Sequence, residues 1–146
     1  MASYGECRST EIAATPQACY DALTDFEHLP DWQGAVRSVE VLERDEQGRG
    51  TVVAYEVDAK VKRVRYKLRQ VHDPPQRLGS EYLGGDFREF AGEWRFKSLG
   101  EGRTRVELDL RVDPGRFVPG PLRGAISDAV MRRALRDLKT HLEDGN

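Results

Sequence analysis

Histidine and cysteine, the side chains best suited to metal binding and nucleophilic catalysis, are few and scattered in this chain. The three histidines, His28, His72 and His141, fall in different predicted elements, and Cys7 and Cys19 are widely spaced. Neither H-E-x-x-H nor a Cys/His cluster is present, so we expect no metal site and no cofactor. His28 is expected to be a surface side chain on a short turn. Cys19 falls on the apolar stripe of a predicted helix, which favours a small core residue over a nucleophile.

Aromatic side chains on the apolar phase of the predicted strands bear most directly on ligand binding. Such rings either fill a core or line a cavity, where tyrosine hydroxyls and the tryptophan N–H provide directional polar contacts. Acid–base chemistry would need a proton donor or acceptor facing inward, and the tyrosines are the candidates by phase. The set consists of Tyr55, Tyr66, Tyr82, Phe90, Trp94 and Phe96.

Charged residues after the glycine pair Gly84-Gly85 are a second source of possible chemistry. Asp86, Arg88 and Glu89 would turn inward if the next strand began with a bulge, and the sequence leaves their direction open. The two glycines lie between predicted strands rather than before a helix. They are therefore predicted to form a turn and not a phosphate-binding loop.

A basic row lies on one predicted strand. Its members are Arg63, Arg65, Lys67 and Arg69, and their period of two places all four on the charged face of the sheet, away from the cavity. Glu56 and Asp58 on the preceding strand can offset this charge across the strands. We therefore predict a solvated face rather than a nucleic-acid or lipid surface.

The elements that would hold these side chains follow a simple order. Residues 3–14 have strand character, and Thr15-Pro16 is typical of a helix N-terminus. Asp25 is expected to cap a second short helical turn, which Pro30 closes. From Ala35 to Val112 the apolar period is two, and short polar turns separate the strands, which indicates an antiparallel meander with one covered face.

A long amphipathic helix is predicted at the end of the sequence. Pro119-Gly120-Pro121 favours a helix start and Gly145 a helix end. The apolar residues between them step by four, so they form a stripe that can cover the apolar face of the sheet. They are Leu122, Ile126, Val130, Ala134, Leu138 and Leu142, widened by Ala129, Met131 and Leu135.

With this order of elements, the chain resembles the START-like, helix-grip superfamily (SRPBCC), and within it the polyketide cyclase/dehydrase-like branch. The resemblance rests on residues 12–32, on Val39-Glu40-Val41-Leu42 with the turn at residues 47–50, and on Gly92-Glu93-Trp94. Residues 102–106 and the final helix with Leu135, Leu138 and Lys139 complete it. It implies an α+β fold, in which a curved seven-stranded antiparallel sheet wraps a long C-terminal helix, with two short helices after the first strand.

The resemblance also implies one ligand-binding domain over residues 1–146 and an internal cavity between the sheet and the helix. We expect the cavity to bind a small hydrophobic or aromatic ligand such as a lipid, a polyketide or an isoprenoid. Two alternatives stay open: a polyketide cyclase or dehydratase that uses cavity tyrosines, and a regulatory or assembly module with a filled core. The expected ligand-binding residues are Trp32, Tyr55, Tyr66, Tyr82, Phe90, Trp94, Phe96, Ile126, Val130 and Met131.

Bulk composition is consistent with a globular domain. The chain has 146 residues, 38% of them hydrophobic and 33% charged, and a formal net charge of -2. This charge provides no overall attraction to nucleic acid or anionic lipid, and no apolar run reaches the ~20 residues that span a bilayer. The first ten residues lack the apolar segment of a secretory signal. We therefore expect a cytoplasmic monomer or homodimer with neither nucleic-acid partners nor stable membrane insertion.

Overall fold

A computed structural model of the chain describes residues 4–58, 63–113, 115 and 120–144, and within these the side chains of residues 7–58, 63–113, 115 and 128–144. Seven strands and two α-helices make up the fold, together with one 3₁₀ helix. In chain order they are β1 (Tyr4–Ile12), α1 (Pro16–Thr24), the 3₁₀ helix (Phe26–Asp31), β2 (Val36–Arg44), β3 (Gly50–Asp58), β4 (Arg63–Asp73), β5 (Arg77–Gly85), β6 (Glu89–Gly100), β7 (Arg103–Asp113) and α2 (Gly120–Asp144).

The start of α1 forms as its sequence predicts. The Thr15 side chain accepts a hydrogen bond from the backbone N–H of Ala18 at 3.1 Å, and Pro16 occupies the first helical position. Two predictions for the next turn are wrong. Asp25 makes no side-chain cap there because its carboxylate binds the His28 ring at 2.8 Å instead. Pro30 does not end the turn but lies inside the 3₁₀ helix.

All seven strands pair antiparallel in one sheet, in the order β1-β7-β6-β5-β4-β3-β2. Strands β2 to β7 form the predicted meander. Strand β1 is the edge strand next to β7 and pairs with it along its whole length. The predicted turns separate β2 from β3, β4 from β5 and β6 from β7; in the last of these, Glu101 adopts a φ of 56° between two glycines. The predicted helix-grip fold is therefore confirmed, with the strand bounds within a few residues of those expected.

The sheet buries one face, and the strand alternation determines which side chains reach it. Along β4, Val64 and Leu68 are buried while Arg65 and Lys67 between them are exposed. The same phase in β7 buries every second residue from Thr104 to Val112. The inward phase of these strands is therefore mainly apolar and faces the concave side of the sheet.

Two elements cover this concave face. Helix α2 packs on β1, β7 and α1, with Met131, Leu135 and Leu138 buried in the main core. The 3₁₀ helix packs on β2, where Phe26 and Leu29 form a second buried cluster with residues of β2 and β3. The sequence predicted that the final helix covers the concave face. It did not predict that the 3₁₀ helix covers part of this face as well. The predicted start and end of α2 at Pro119 and Gly145 lie outside the described residues.

The segment between the 3₁₀ helix and β2 is fastened to α2. The Trp32 ring stacks on the His141 ring, with centroids 4.6 Å apart and planes 4° from parallel. The backbone N–H of Gly34 donates to the Asp137 carboxylate at 3.0 Å, and the Arg133 guanidinium occupies the space where a Cβ of residue 34 would lie. These contacts join the two covering elements at one end of the concave face.

Candidate functional site

A cavity of about 150 Å³ lies between the concave face of the sheet and its two covers. The 3₁₀ helix and the end of α1 close one side, α2 closes the other, and β3 to β7 form the floor. The lining residues are Leu23, Phe26, Leu29, Gln33, Val36, Tyr55, Tyr66, Leu68, Gln70, Leu78, Ser80, Phe90, Gly92, Trp94, Leu108, Leu110, Val130 and Ala134.

Small side chains at facing positions help to keep this space open. Ser80 on β5 is paired with Gly92 on β6, and the Ser80 hydroxyl donates to the Gly92 carbonyl at 3.0 Å rather than projecting into the cavity. On the opposite wall, α2 contributes Val130 and Ala134. Because these residues have short side chains, the backbone elements that carry them enclose space instead of meeting.

A stack of aromatic rings forms one wall. The Tyr55 and Tyr66 rings lie opposite each other on β3 and β4, with centroids 5.2 Å apart and planes 18° from parallel. Tyr66 also stacks on Phe90 at 5.2 Å and 25°. Phe87, in the segment before β6, contacts both Tyr66 and Phe90. Such a wall presents flat, polarisable surface, which suits an aromatic or unsaturated ligand.

A glutamine–tyrosine pair is the polar feature of the cavity. The Gln70 side-chain amide donates to the Tyr55 hydroxyl at 2.8 Å, and Gln70 is only 7% exposed. Both residues line the cavity, together with the Trp94 indole. No other hydrogen bond to the Gln70 or Tyr55 side chain, and none to the Trp94 indole, is found in the described part of the chain. A buried amide with unused bonding capacity is costly unless something else satisfies it.

The titratable groups in the described walls are the two tyrosines. Burial raises the pKa of Tyr55 well above its ordinary value, with the hydrogen bond from Gln70 acting in the opposite direction. Burial also raises the pKa of Tyr66. Both phenols are therefore neutral at ordinary pH and can act as hydrogen-bond donors, but they are poor sources of a transferable proton.

A second polar group, the half-buried His72 side chain, lies against Phe26 and outside the cavity. The His72 Nε2–H donates to the Gly50 carbonyl at 2.6 Å, so in the neutral ring Nδ1 accepts a hydrogen bond from the Tyr20 hydroxyl at 2.5 Å. These bonds tie α1 to β3 and β4. The residues line no part of the cavity described above, so their role is to hold the wall in position.

The sequence predicted ten ligand-binding residues, and the structure separates them. Five of them line the cavity: Tyr55, Tyr66, Phe90, Trp94 and Val130. Phe96 and Met131 are buried in the solid core beside it. Tyr82 donates its hydroxyl to the Phe87 carbonyl at 2.7 Å, and Trp32 stacks on His141 at the surface. The side chain of Ile126 lies outside the described residues.

The direction of the charged residues after Gly84-Gly85 is also determined. Asp86 is exposed, and its carboxylate accepts the backbone N–H of Arg65 at 2.8 Å. Arg88 pairs with the Asp113 carboxylate at 3.8 Å, and Glu89 is exposed. None of these three lines the cavity. The inward residue of this segment is Phe87, which the sequence did not single out.

The remaining predictions concern residues outside the cavity. Arg65 pairs with Glu56 at 3.4 Å on the convex face, as the cross-strand argument predicted. His28 is a surface residue whose side chain is 68% exposed, and its hydrogen bond to Asp25 raises its pKa. Cys19 is a core residue, and burial raises the pKa of its thiol to about 11. A thiol in this state is a poor nucleophile.

No group of three or more His, Cys, Asp or Glu side chains in residues 7–58, 63–113, 115 and 128–144 is arranged to hold a metal ion. No helix in the described part of the chain is both long and apolar enough to cross a bilayer.

Comparison with known proteins identifies the family to which this architecture belongs. The family model described as polyketide cyclase / dehydrase and lipid transport matches residues 12–139. The chain belongs to this family. The match includes every described lining residue of the cavity. Among the curated proteins, this chain is similar to the ribosome association toxin RatA of Pseudomonas aeruginosa. The two are 28% identical over 109 residues, which cover 73% of this chain and 72% of that protein.

Solved structures show the same fold. A START superfamily protein from Mycobacterium smegmatis superposes with a TM-score of 0.89 at 19% identity, over 97% of this chain and 99% of that one. The Zhui aromatase/cyclase from Streptomyces sp. R1128 superposes with a TM-score of 0.80 at 20% identity, over 97% and 94% of the two chains. At these identities the likeness concerns the fold of this chain and not its ligand.

Sequence reasoning missed the polar residue of the cavity, although the pattern that could have found it is present. The predicted inward residue of β4 is Tyr66. Four and six residues further on, the same phase places Gln70 and His72 on the concave face. Gln33 and Leu29 carry no such signal, because they reach the cavity through the turn of the 3₁₀ helix and not through a strand.

Proposed function

We propose that this chain is a single ligand-binding domain whose cavity holds a small hydrophobic or aromatic molecule. The observation that supports this function is a space walled by stacked rings and left unfilled by the small side chains that face them. Natural cores pack at crystal-like density, and a void with aromatic walls is a familiar form of ligand site. Membership of a family described by cyclase, dehydrase and lipid-transport members supports the same class of function.

Binding is favoured over a cyclase or dehydratase activity by the chemistry of the walls. Acid–base catalysis would need a group with a pKa near the working pH. No carboxylate, imidazole, lysine or arginine is among the described residues that line the cavity. The two tyrosines that line it are held neutral by burial. The site therefore has the means to hold and orient a molecule, and lacks an evident proton carrier.

The size of the cavity limits what it can hold. At about 150 Å³ it is smaller than the ~300 Å³ at the lower end of typical ligand pockets. A cavity below this size is also what the alternative of a regulatory or assembly module with a filled core would predict. However, an apolar cavity of about this size in another protein takes up benzene, so a single ring fits here without movement of the walls. A longer ligand would require the covering elements to part.

A cavity-filling substitution tests the proposal. Ala134→Leu extends a side chain from α2 into the space and should abolish binding of small aromatic probes, measured by ligand-observed NMR. The matched control is Thr140→Leu, which adds the same side chain to an exposed position of the same helix. We expect binding by the wild type and the control only. Equal binding by all three proteins would place the bound probe elsewhere and contradict the proposal.

Mass spectrometry of the native protein adds an independent measurement. A small apolar molecule that co-purifies with the wild type and is missing from Ala134→Leu would support the cavity as its site. A molecule retained equally by both proteins would count against it.

A further inference from the structure

The Gln70–Tyr55 pair leaves bonding capacity inside the cavity. In the hydrogen bond between them the Gln70 amide is the donor and the Tyr55 oxygen is the acceptor. The Tyr55 O–H and the Gln70 Oε1 therefore each lack a partner in the described part of the chain. Gln70 is more than nine-tenths buried, so little of its side chain meets bulk water. One free donor and one free acceptor thus lie side by side in a mainly apolar space.

We propose that this pair is a recognition site for the hydroxyl group of a small phenol. The inference rests on the proposed function of the cavity and specifies its ligand class. The phenolic oxygen accepts the Tyr55 O–H, and its own hydrogen is donated to Gln70 Oε1. A hydroxyl group supplies both halves of this exchange, whereas a carbonyl oxygen or an ether can only accept.

The rest of the cavity agrees with a phenol and disfavours other oxygen-bearing ligands. Tyr66 and Phe90 offer stacked ring surface, and the volume of about 150 Å³ matches one six-membered ring. A carboxylate would arrive as an anion, and the described walls hold no cation to balance it. A long acyl chain exceeds the volume.

The geometry also predicts how the pair discriminates. A hydrocarbon ring fills the same space but leaves the Tyr55 O–H and the Gln70 oxygen unpaired, which carries the cost of a buried polar group without a partner. Sites built to bind a hydroxyl reject the analogue that lacks it for this reason. Replacing Gln70 by an apolar residue should therefore reduce the preference and leave hydrocarbon binding unchanged or tighter.

Phenol and toluene make a suitable pair of probes, because they have nearly the same shape and exchange a hydroxyl for a methyl group. Dissociation constants for both are measured with the wild type and with the variants Gln70→Leu and Tyr55→Phe. We expect the ratio of the two constants to shift toward toluene by about tenfold in each variant, the effect of a buried hydrogen bond lost. Gln76→Leu is the matched control, since Gln76 is exposed between β4 and β5 and lies outside the cavity; its ratio should match that of the wild type.

Each other outcome has a definite meaning. If neither probe binds the wild type, both the proposed function and this inference fail. If both probes bind and the ratio is the same in all four proteins, the cavity binds rings but the pair does not select them, and this inference is overturned alone. A shift in Gln76→Leu as large as in Gln70→Leu also overturns it. Tyr55→Phe removes a single oxygen atom, so it provides the test if Gln70→Leu fails to fold by circular dichroism.

Discussion

The concave face of the sheet has a packed end and a hollow end, and the same strands build both. On β6, Phe96 is buried in solid core, while two residues away Trp94 lines the cavity. On β7, Val106 is fully buried in the core, and Leu108 and Leu110 in the same phase reach the cavity. The two ends therefore do not differ in strand pattern or in hydrophobicity.

They differ in what faces the strands. Over the packed end, α2 presents the long side chains of Met131, Leu135 and Leu138. Over the hollow end it presents Val130 and Ala134, and the floor beneath contains Ser80 and Gly92. A cavity thus arises where small residues from two separate elements meet. The space is therefore a property of two surfaces that face each other, and it cannot be assigned to any one strand or helix.

The largest expected effect is at the packed end. Leu138 is 0% exposed in the main core, so Leu138→Ala should lower the free energy of unfolding by about 2–5 kcal/mol. Leu99→Ala, at a position that is 44% exposed, is the control and should change it by less than ~0.5 kcal/mol. Urea unfolding measures both. A loss below ~1 kcal/mol at Leu138 would mean that this end is not packed as described.

Alkaline pH should affect both ends through their tyrosines. Burial raises the pKa of Tyr20 to about 12 at the packed end, and raises those of Tyr55 and Tyr66 at the hollow end. An unfolded tyrosine loses its proton near pH ~10, so above that pH the unfolded state binds fewer protons than the folded state. The free energy of unfolding should then fall as pH rises from ~10 to ~12, by up to about 1.4 kcal/mol per pH unit for each retained proton.

Urea unfolding from pH 9 to 12 measures this slope. The Tyr20→Phe variant should show a shallower decline than the wild type, since one retained proton is missing. Identical slopes would show that Tyr20 ionises alike in both states. Stability that rises through this range would contradict the sign of the argument for all three residues.

A smaller effect of opposite sign is expected at the hollow end. Ala134→Leu adds three apolar carbon atoms to existing space, and burial of each stabilises by ~0.8 kcal/mol. The rotamer freedom that the leucine loses offsets ~0.5–1 kcal/mol of this gain, so the free energy of unfolding should rise by about 1.5 kcal/mol. Thr140→Leu should leave it nearly unchanged. Destabilisation of Ala134→Leu by more than ~1 kcal/mol would indicate overpacking, and with it a space that the protein has already filled.

The smallest effect is expected on the convex face of the same strands. Arg65 is 79% exposed and lies 3.4 Å from Glu56, and a surface ion pair of this kind contributes little. Arg65→Ala should change the free energy of unfolding by less than ~0.5 kcal/mol and leave probe affinity unaltered. A large loss of affinity would show that a residue of the convex face affects the cavity, and it would contradict the assignment of binding to the hollow end alone.

Local patterns predicted most of the fold. Period-two alternation in β4 and β7 indicated the buried face, and Thr15-Pro16 indicated the start of α1. The predictions failed where a local signal had a competing partner. Asp25 could cap the next turn, but its carboxylate binds His28 instead. The φ angle that the proline ring fixes is compatible with a 3₁₀ helix, so Pro30 lies within the helix, one residue before its end.

The candidate site was predictable only in part. The phase of each strand placed Tyr55, Tyr66, Phe90 and Trp94 on the concave face, and these residues line the cavity. The same phase also predicted Phe96 as a ligand-binding residue, but its side chain packs in the core. Phase reports which face a side chain occupies, but it carries no information on which residue from another element stands opposite.

The sequence by itself determined the order of elements, the buried face of each strand and the apolar stripe of the final helix, because these depend on residues close together in the chain. Tertiary structure alone decided where the concave face is hollow. It also decided that Gln70 would meet Tyr55 across two strands, with one donor and one acceptor left free. The physical reason is that packing and hydrogen bonding act between surfaces, and the positions that meet there are distant in sequence.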